Sequence, residues 1–420
     1  MNDYLSRHIE STILKKMKSS GVVLVEGPKF CGKTTTSALF AKSEIRLNTK
    51  SAIQIARIEP SNVLIGEKPR LIDEWQTVPD LWNQAKAWID ENPGFGQFIF
   101  TGSSTPADNS EIFHSGAGRI TRVMMRPMSL SESLDSKGSV SLYSLFENEK
   151  LNIFDNNEGY SLRDTAFLLC RGGWPLAINQ EKDVALDITS NYYESLFNLR
   201  NSENPKYRNK NPELMRLILR AYARHVSTQT STTKILADIA SRDARSVSNK
   251  TFEEYSDALA DLFIIEDMEA WNPNLRSKTI VRSTPTHHFV DSSIAAQALG
   301  ASPADLMTDL NTFGLLFEDM AVRDLRIYAQ TLDGKVFHYR DSRGLECDSI
   351  IHLKDGRWAP IEIKLGGDNL IEEGASNLNK LKTDIAEKKQ PSFMMILTAT
   401  GPAYRRPDGI YVVPINCLKA

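Results

Sequence analysis

Cysteine is scarce and scattered. Cys31, Cys170, Cys347 and Cys417 are the four in 420 residues, and no two stand at a CxxC or Cys/His spacing. That argues against a disulfide framework or a zinc site and suits a reducing cytoplasm. Excess basic charge is also missing. The formal net charge is -3, so no global field attracts nucleic acid, and any such contact needs a local patch. No apolar run approaches membrane-span length, which sets a membrane partner aside. The opening MNDYLSRHIESTILKKMK is charged throughout, so a signal peptide is not expected. Internal repeats and low-complexity tracts are not found either. What remains is ordinary globular composition, 41% hydrophobic and 25% charged, with length for two to four domains.

The most specific stretch is VVLVEGPKFCGKTTT. Val22 to Val25 is a β-branched apolar run, read as a buried parallel strand. Gly27, Pro28, Lys29, Phe30, Cys31, Gly32, Lys33 and Thr34 then fit G-x-x-x-x-G-K-[ST] at every fixed position, and TTTSALFAKS is read as a helix. The glycines let backbone N–H groups turn inward around a β-phosphate. Lys33 reaches the β- and γ-oxygens, and the Thr34 hydroxyl can ligate Mg²⁺. The loop through Thr35 is thus expected to hold ATP.

A phosphate loop needs a second acid, and KPRLIDEWQ supplies Asp73 and Glu74. Asp73 would hold Mg²⁺ through water, and Glu74 would act as general base on the attacking water. The adjacent second acid points to a hydrolase rather than a small-molecule kinase. The strand itself is short of apolar residues, because Lys68, Pro69 and Arg70 precede it. GQFIFTGSS reads as the next strand, and Thr101 or Ser103 at its end can sense a γ-phosphate. Arg119, Arg122 and Arg126 follow in GAGRITRVMMRP. Arg119, after a Gly-Ala-Gly turn, is the first candidate for an arginine finger acting on a neighbouring subunit.

These motifs, together with RGGWP at Arg171–Pro175, make the chain resemble bacterial AAA-type P-loop ATPases with a C-terminal domain of unknown function. The resemblance implies a Gly-x-Pro turn at Gly173–Pro175 that closes a helical lid over the nucleotide, and a homo-oligomer whose sites are completed between subunits. It also implies a winged helix in the middle. NPELMRLILRAYARHVS places Leu214, Leu217, Ile218, Ala221 and Tyr222 on one helical face, and two more helical stretches follow. SKTIVRSTPTHHFVD then reads as a hairpin. The third of these helices carries Glu253, Glu254, Asp257 and Asp261, which oppose nucleic-acid phosphate, whereas Arg242, Arg245 and Lys250 lie just ahead of it. A structural or protein-docking role therefore stands beside DNA binding. His287 and His288 lack further ligands at metal spacing and read as packing or surface residues.

Near the end, GLLFEDMAVRDLRIYAQ is an amphipathic helix with Leu315, Leu316, Met320 and Leu325 on its apolar face, and it contains Glu318. ECDSIIHLKDGRWAPIEIK reads as strand, turn, strand. Asp348 opens the first strand. Alternation puts Glu362 and Lys364 on one face of the second, with Ile361 and Ile363 on the other. Glu318, Asp348 and Glu362-x-Lys364 in that order resemble the PD-(D/E)XK nuclease core. The resemblance implies Asp348 and Glu362 as Mg²⁺ ligands, Glu318 as a further ligand or a group that orients water, and Lys364 as the group that orients or activates the water.

The sequence is thus read as an α/β P-loop NTPase core of AAA type (1–130), a helical lid (131–204), a winged helix (205–300) and a restriction-endonuclease-like α/β domain (301–420). ATP hydrolysis is the expected reaction. Two outputs stay open at this point. One is a regulatory ATP switch whose C-terminal domain binds protein, DNA or RNA. The other is an ATP-gated, Mg²⁺-dependent nuclease.

Overall fold

Val22 to Val25 are buried, and the strand they form sits inside a five-stranded sheet. A computed structural model describes residues 4–104, 112, 115–148, 150–198, 205–243, 245–272, 284–385 and 390–420. The N-terminal unit runs α1 (Ile9–Met17), β1 (Val22–Glu26), α2 (Lys33–Ala38), β2 (Ser43–Arg46), α3 (Lys50–Ile58), α4 (Pro60–Val63), β3 (Arg70–Asp73), α5 (Leu81–Glu91), β4 (Phe98–Gly102) and β5 (Ile120–Met124). Its strands are all parallel, in the order β2-β3-β4-β1-β5. Apolar runs without alternation suit strands covered on both faces. Because β4 lies between β1 and β3, Thr101 is level with both Val25 and Asp73. The helix read over TTTSALFAKS is shorter than expected and stops at Ala38. Three successive threonines restrict χ1 freedom at its start, and the chain enters β2 by Ser43.

The middle contains β6 (Val140–Ser141), α6 (Leu142–Glu147), β7 (Phe154–Asp155), α7 (Leu162–Arg171), α8 (Lys182–Ser195), α9 (Pro205–Arg208), α10 (Pro212–Arg224), α11 (Thr232–Arg242), α12 (Asn249–Asp261), α13 (Ser292–Leu299) and α14 (Pro303–Thr308). Asn211 caps α10 by accepting from Leu214 N–H, and Pro212 opens its first turn. The buried face of α10 differs slightly from the expected one. Met215, Ile218, Leu219 and Tyr222 are inside, while Leu214 and Leu217 are only half-buried. Antiparallel bridges join Ile265 to Phe289 and Met268 to Thr286. Residues 277–283 of the expected hairpin lie outside the described residues.

The C-terminal part contains α15 (Leu310–Thr331), β8 (Gly334–Arg340), β9 (Glu346–Leu353), β10 (Trp358–Lys364), α16 (Asp368–Asp384), β11 (Met395–Thr398), β12 (Ala403–Arg405), β13 (Tyr411–Pro414) and β14 (Leu418–Lys419). Its mixed sheet has the order β7-β12-β13-β11-β10-β9-β8. Two strands of the expected lid segment thus leave it: β7 pairs with β12, and β6 with β14. Strand β10 is buried on both faces. Ile361 and Ile363 share a core with α15, and Trp358 shares one with Leu378 and Leu381 of α16.

Helix α15 departs from the amphipathic expectation, because every residue from Asp319 to Ala329 is buried. A helix buried all round must find partners for any charge it carries. Arg323 donates from one terminal nitrogen to Asp291 at 2.7 Å and from the other to Asp324 at 2.7 Å. Asp324 also accepts from Leu130 N–H at 2.9 Å. Asp291 accepts from the Gly173 N–H at 2.9 Å. Removing one partner of a buried ion pair costs about 3–5 kcal/mol. Asp291→Ala should therefore lower unfolding stability by about that amount, seen as a large drop in urea midpoint. Asp309→Ala, which removes only the exposed cap of α15, should cost about 1 kcal/mol. Equal losses would show that Arg323 does not hold these elements together.

Candidate functional site

The phosphate loop follows directly from the strand-to-helix turn. Gly27 cannot be replaced, because a Cβ there would sit 2.0 Å from the Met125 carbonyl oxygen, and its φ is +155°. Lys33 Nζ donates back to the loop carbonyls of Gly27 (2.9 Å) and Pro28 (2.7 Å). Pro28, Lys29, Phe30 and Cys31 form the arch between the two glycines. Phe30 stands exposed at left-handed φ, and Cys31 is buried with its Sγ on the Met125 carbonyl. Thr34 Oγ1 donates to Asp73 Oδ1 at 2.7 Å. Thr35 follows on the exposed side of α2.

The two residues left open at the end of β4 do different things. Thr101 donates to Asp73, and Ser103 donates to Glu74 Oε2 at 3.0 Å. Glu74 is also bound by the Gln76 side chain, and its backbone is left-handed (φ +59°). Asp73 and Glu74 thus each have a hydroxyl partner on the intervening strand. Gln76 was not anticipated, although it lies two residues beyond Glu74.

Two distant segments close on this loop. A Cβ built on Gly32 would lie 3.7 Å from Pro175 Cγ and 3.4 Å from a terminal nitrogen of Arg7. The turn Arg171–Pro175 is therefore against the phosphate loop. Gly173 is required there, since a Cβ would fall 2.0 Å from the Met128 carbonyl oxygen. Trp174 is fixed by its Nε1–H to Ser293 (3.0 Å) and by ring contact with Tyr192 (3.9 Å), and Arg171 pairs with Asp135. Sequence reasoning missed Arg7, which has no motif around it.

Of the three arginines, Arg119 lies apart from this cluster. Val22 pairs in register with Ile120, so Arg119 sits at the opposite end of β1 from the phosphate loop, roughly 16 Å away along the strand. It pairs with Asp90 at 2.7 Å on the surface and cannot reach the loop of its own chain. Arg122 pairs with Glu26. Arg126 is held by Glu266, whose carboxyl Arg126 and Arg326 keep down near 2 despite the opposing effect of burial. The histidine pair is buried, His287 on Asp267 and His288 on Asp319.

The C-terminal residues do converge, but around an ammonium. Lys364 Nζ stands 2.9 Å from Glu362 Oε2 and 3.5 Å from Asp348 Oδ2. Asp348 also accepts from Ile363 N–H at 2.7 Å. Burial first, then Asp348, pushes the Glu362 carboxyl up to about 8 against the pull of Lys364. Glu318, on α15, feels the same charges, and burial with Asp348 raises it well above the carboxylate range. Burial alone would depress Lys364, but Asp348 and Glu362 outweigh it and keep the lysine charged.

Three family models match parts of the chain. Residues 19–134 match a family model described as an AAA domain. This part of the chain is therefore similar to AAA-type P-loop ATPase domains. Residues 162–305 and 313–418 match two models described as domains of unknown function (DUF8612 and DUF4143). Uncharacterized proteins of Mycobacterium tuberculosis and Mycobacterium bovis are each 22% identical over 364 residues, covering 85% of this chain and 73% of theirs. Among solved structures, a Walker-type ATPase of Pyrococcus abyssi is similar at 15% identity, with TM-score 0.43 over 70% of this chain and 96% of that one. A STAND protein with a tetratricopeptide-repeat sensor from Pyrococcus horikoshii is similar at 13% identity and TM-score 0.26, over 78% of this chain and 48% of that one. No helix among the described residues is long and apolar enough to cross a membrane.

An AAA-type domain implies Mg²⁺ with its nucleotide. The adjoining Thr34 hydroxyl and Asp73 carboxylate are hard oxygen donors and fit that ion. The C-terminal set does not fit as it stands. Among the described residues no group of three or more His, Cys, Asp or Glu is placed to hold a metal, and the Lys364 ammonium already answers Asp348 and Glu362. Of the three carboxylates expected to ligate a metal, Asp348 and Glu362 stand against this ammonium, and Glu318 feels the charge of all three groups.

A raised carboxyl makes the folded protein bind a proton that the unfolded chain has already released. The stability this confers is complete below the ordinary value of 4.5 and is lost as pH rises through about 8. Stability should therefore fall across that window, and Glu362→Gln should make the fall shallower when urea midpoints are compared along it. An unchanged slope would show that Glu362 is ionised throughout.

Proposed function

We propose that the protein hydrolyses ATP and uses that cycle to control a C-terminal binding domain. The observation that carries this reading is the row Thr34, Asp73, Thr101, with Glu74 and Ser103 beside it, at the mouth of three adjacent parallel strands. Lys33 and the loop N–H groups from Lys29 to Thr35 bind the phosphates, with Gly27 and Pro28 setting the turn. Thr34 and Asp73 would hold Mg²⁺, which neutralises phosphate charge when bound. Glu74, oriented by Ser103 and Gln76, takes the proton of the attacking water, and Thr101 fixes the Asp73 carboxylate. The turn Gly173–Pro175 closes the site from the lid. Arg119, exposed and remote from its own loop, acts on the loop of a second copy, which makes a homo-oligomer the working form.

The chain then divides as core (1–130), lid (131–204), winged helix (205–300) and nuclease-like domain (301–420). Helices α10 to α12 with the bridges at Ile265 and Met268 support the winged helix. Glu253, Glu254 and Asp257 are exposed on α12, which favours a protein-docking use of that unit over groove reading. The order of α15, β9 and β10 supports the nuclease-like fold. Lys364 between its two carboxylates favours a binding module for DNA, RNA or protein over a cutting one.

Multiple-turnover ATP hydrolysis should be lost in two distinct ways. Glu74→Gln should lower kcat by about 10²–10⁴-fold with ATP still bound. Lys33→Ala should lose binding itself. Turnover that survives Glu74→Gln would remove Glu74 from the mechanism. For the C-terminal domain, plasmid, single-stranded DNA and RNA should remain intact with Mg²⁺ or Mn²⁺, with or without ATP. Cleavage by the wild type that Lys364→Ala abolishes would replace the binding reading with an ATP-gated nuclease.

A further inference from the structure

A loop that turns its N–H groups toward a phosphate must turn its carbonyls the other way. The peptide unit is planar and trans, so the orientation of one carbonyl fixes that of the following N–H. The Cys31–Gly32 unit illustrates the point. Its N–H belongs to Gly32, the residue before Lys33. Its carbonyl faces into the protein, where a buried acceptor requires a donor. Arg7 supplies that donor at 2.7 Å.

Arg7 is built for this position. It is 5% exposed, and both terminal nitrogens of its guanidinium are hydrogen-bonded. One terminal nitrogen is on the Cys31 carbonyl, and the other is on the Arg126 carbonyl at 2.7 Å. Nε pairs with Glu132 at 3.2 Å. Glu132 is anchored in turn by the N–H groups of His8 (2.7 Å) and Ser129 (2.8 Å). The rest of the N-terminal arm meets the helix after the loop, because the Tyr4 hydroxyl contacts both Thr36 and Glu10, and Glu10 accepts from Arg7 N–H. A planar fork that holds two carbonyls from segments far apart in the chain is a task that guanidinium performs and ammonium does not.

We propose that Arg7 is a positioning residue for nucleotide binding: it pins the Cys31 carbonyl inward, away from the phosphate side of the loop, and so presents the Gly32 N–H to the phosphates. This rests on the ATPase reading above. Arg7 touches neither substrate nor metal in this role, so it sets affinity and leaves the chemical step alone.

The test is steady-state ATP hydrolysis by the full chain, with binding of a fluorescent ATP analogue measured in parallel. Arg7→Lys keeps a positive charge for Glu132 but loses the fork. KM and the analogue's Kd should rise about tenfold, with kcat held within about twofold. Loss of packing alone would instead reduce the active fraction, lowering kcat at unchanged KM. That result, or an unchanged KM, would overturn the proposal. Should Arg7→Lys fail to fold, Glu132→Gln leaves the arginine in place but loosens it, and KM should rise by a smaller factor. An unchanged KM in that variant would also count against the role. Lys33→Ala separates the two levels of the argument. Wild-type protein that binds the analogue no better than Lys33→Ala would sink the nucleotide reading and this proposal with it. Binding that Lys33→Ala loses and Arg7→Lys does not would sink this proposal alone.

Discussion

One buried guanidinium joins the parts of this protein. Arg323 lies in a helix with no exposed side over its last three turns, between Asp291 and Asp324. An unpaired charge there would be prohibitive, so its partners cannot drift. Asp291 begins α13 and receives the N–H of Gly173, in the turn that leans on the phosphate loop. Asp324 receives the N–H of Leu130, just after the nucleotide-binding sheet. The three segments are distant in sequence and have their relative places set by one side chain. Apolar packing around α15 supplies most of the favourable free energy, but it is non-directional. The ion triad supplies direction.

The sequence was most legible where the chemistry is contiguous. The phosphate loop, Asp73 and Glu74 each sit at a strand end whose apolar run is visible over a few residues. Their grouping follows from parallel-sheet topology, with β4 placing Thr101 and Ser103 between them. The residues that escaped notice are those whose meaning lies in a remote partner. Gly173 and Asp291 are 118 residues apart, and Arg7 and Arg126 are 119 apart. Nothing local marks Arg7 off from any other arginine near a helix start. Asp319, Arg323 and Arg326 lie in a helix whose sequence reads as amphipathic. They are inside, because α15 is covered by the sheet on one side and by α13 and α7 on others.

The glutamate and lysine of IEIK show where alternation stops being informative. Period two correctly places both on one face of β10. It is silent on which cation answers the carboxylates. At 2.9 Å the lysine is an ion-pair partner of Glu362. Three carboxyls and one ammonium in a largely buried cluster leave a surplus of acid, and burial, joined by the charge of Asp348, raises Glu318 and Glu362. Protons and Lys364 together neutralise the cluster as it stands. A divalent ion would take the place of the protons, since three carboxylates balance one ammonium and one doubly charged cation.

The geometry also constrains how the two ends of the molecule can move. Pro175 is in contact range of Gly32, and Gly173 in the same turn is bound to Asp291, which is bound to Arg323. Glu318 of the acid cluster lies on the same helix, little more than one turn from Arg323. If closure over a nucleotide shifts the turn, two responses are available. The Asp291–Arg323 pair can break, at about 3–5 kcal/mol, or α15 can follow the turn. Coupling between sites in proteins is typically only about 1–3 kcal/mol, so the first route is the more expensive. A tightly packed helix moves as a rigid body rather than deforming. The line of contacts from the phosphate loop through Gly173, Asp291 and Arg323 thus ends on the helix that carries Glu318.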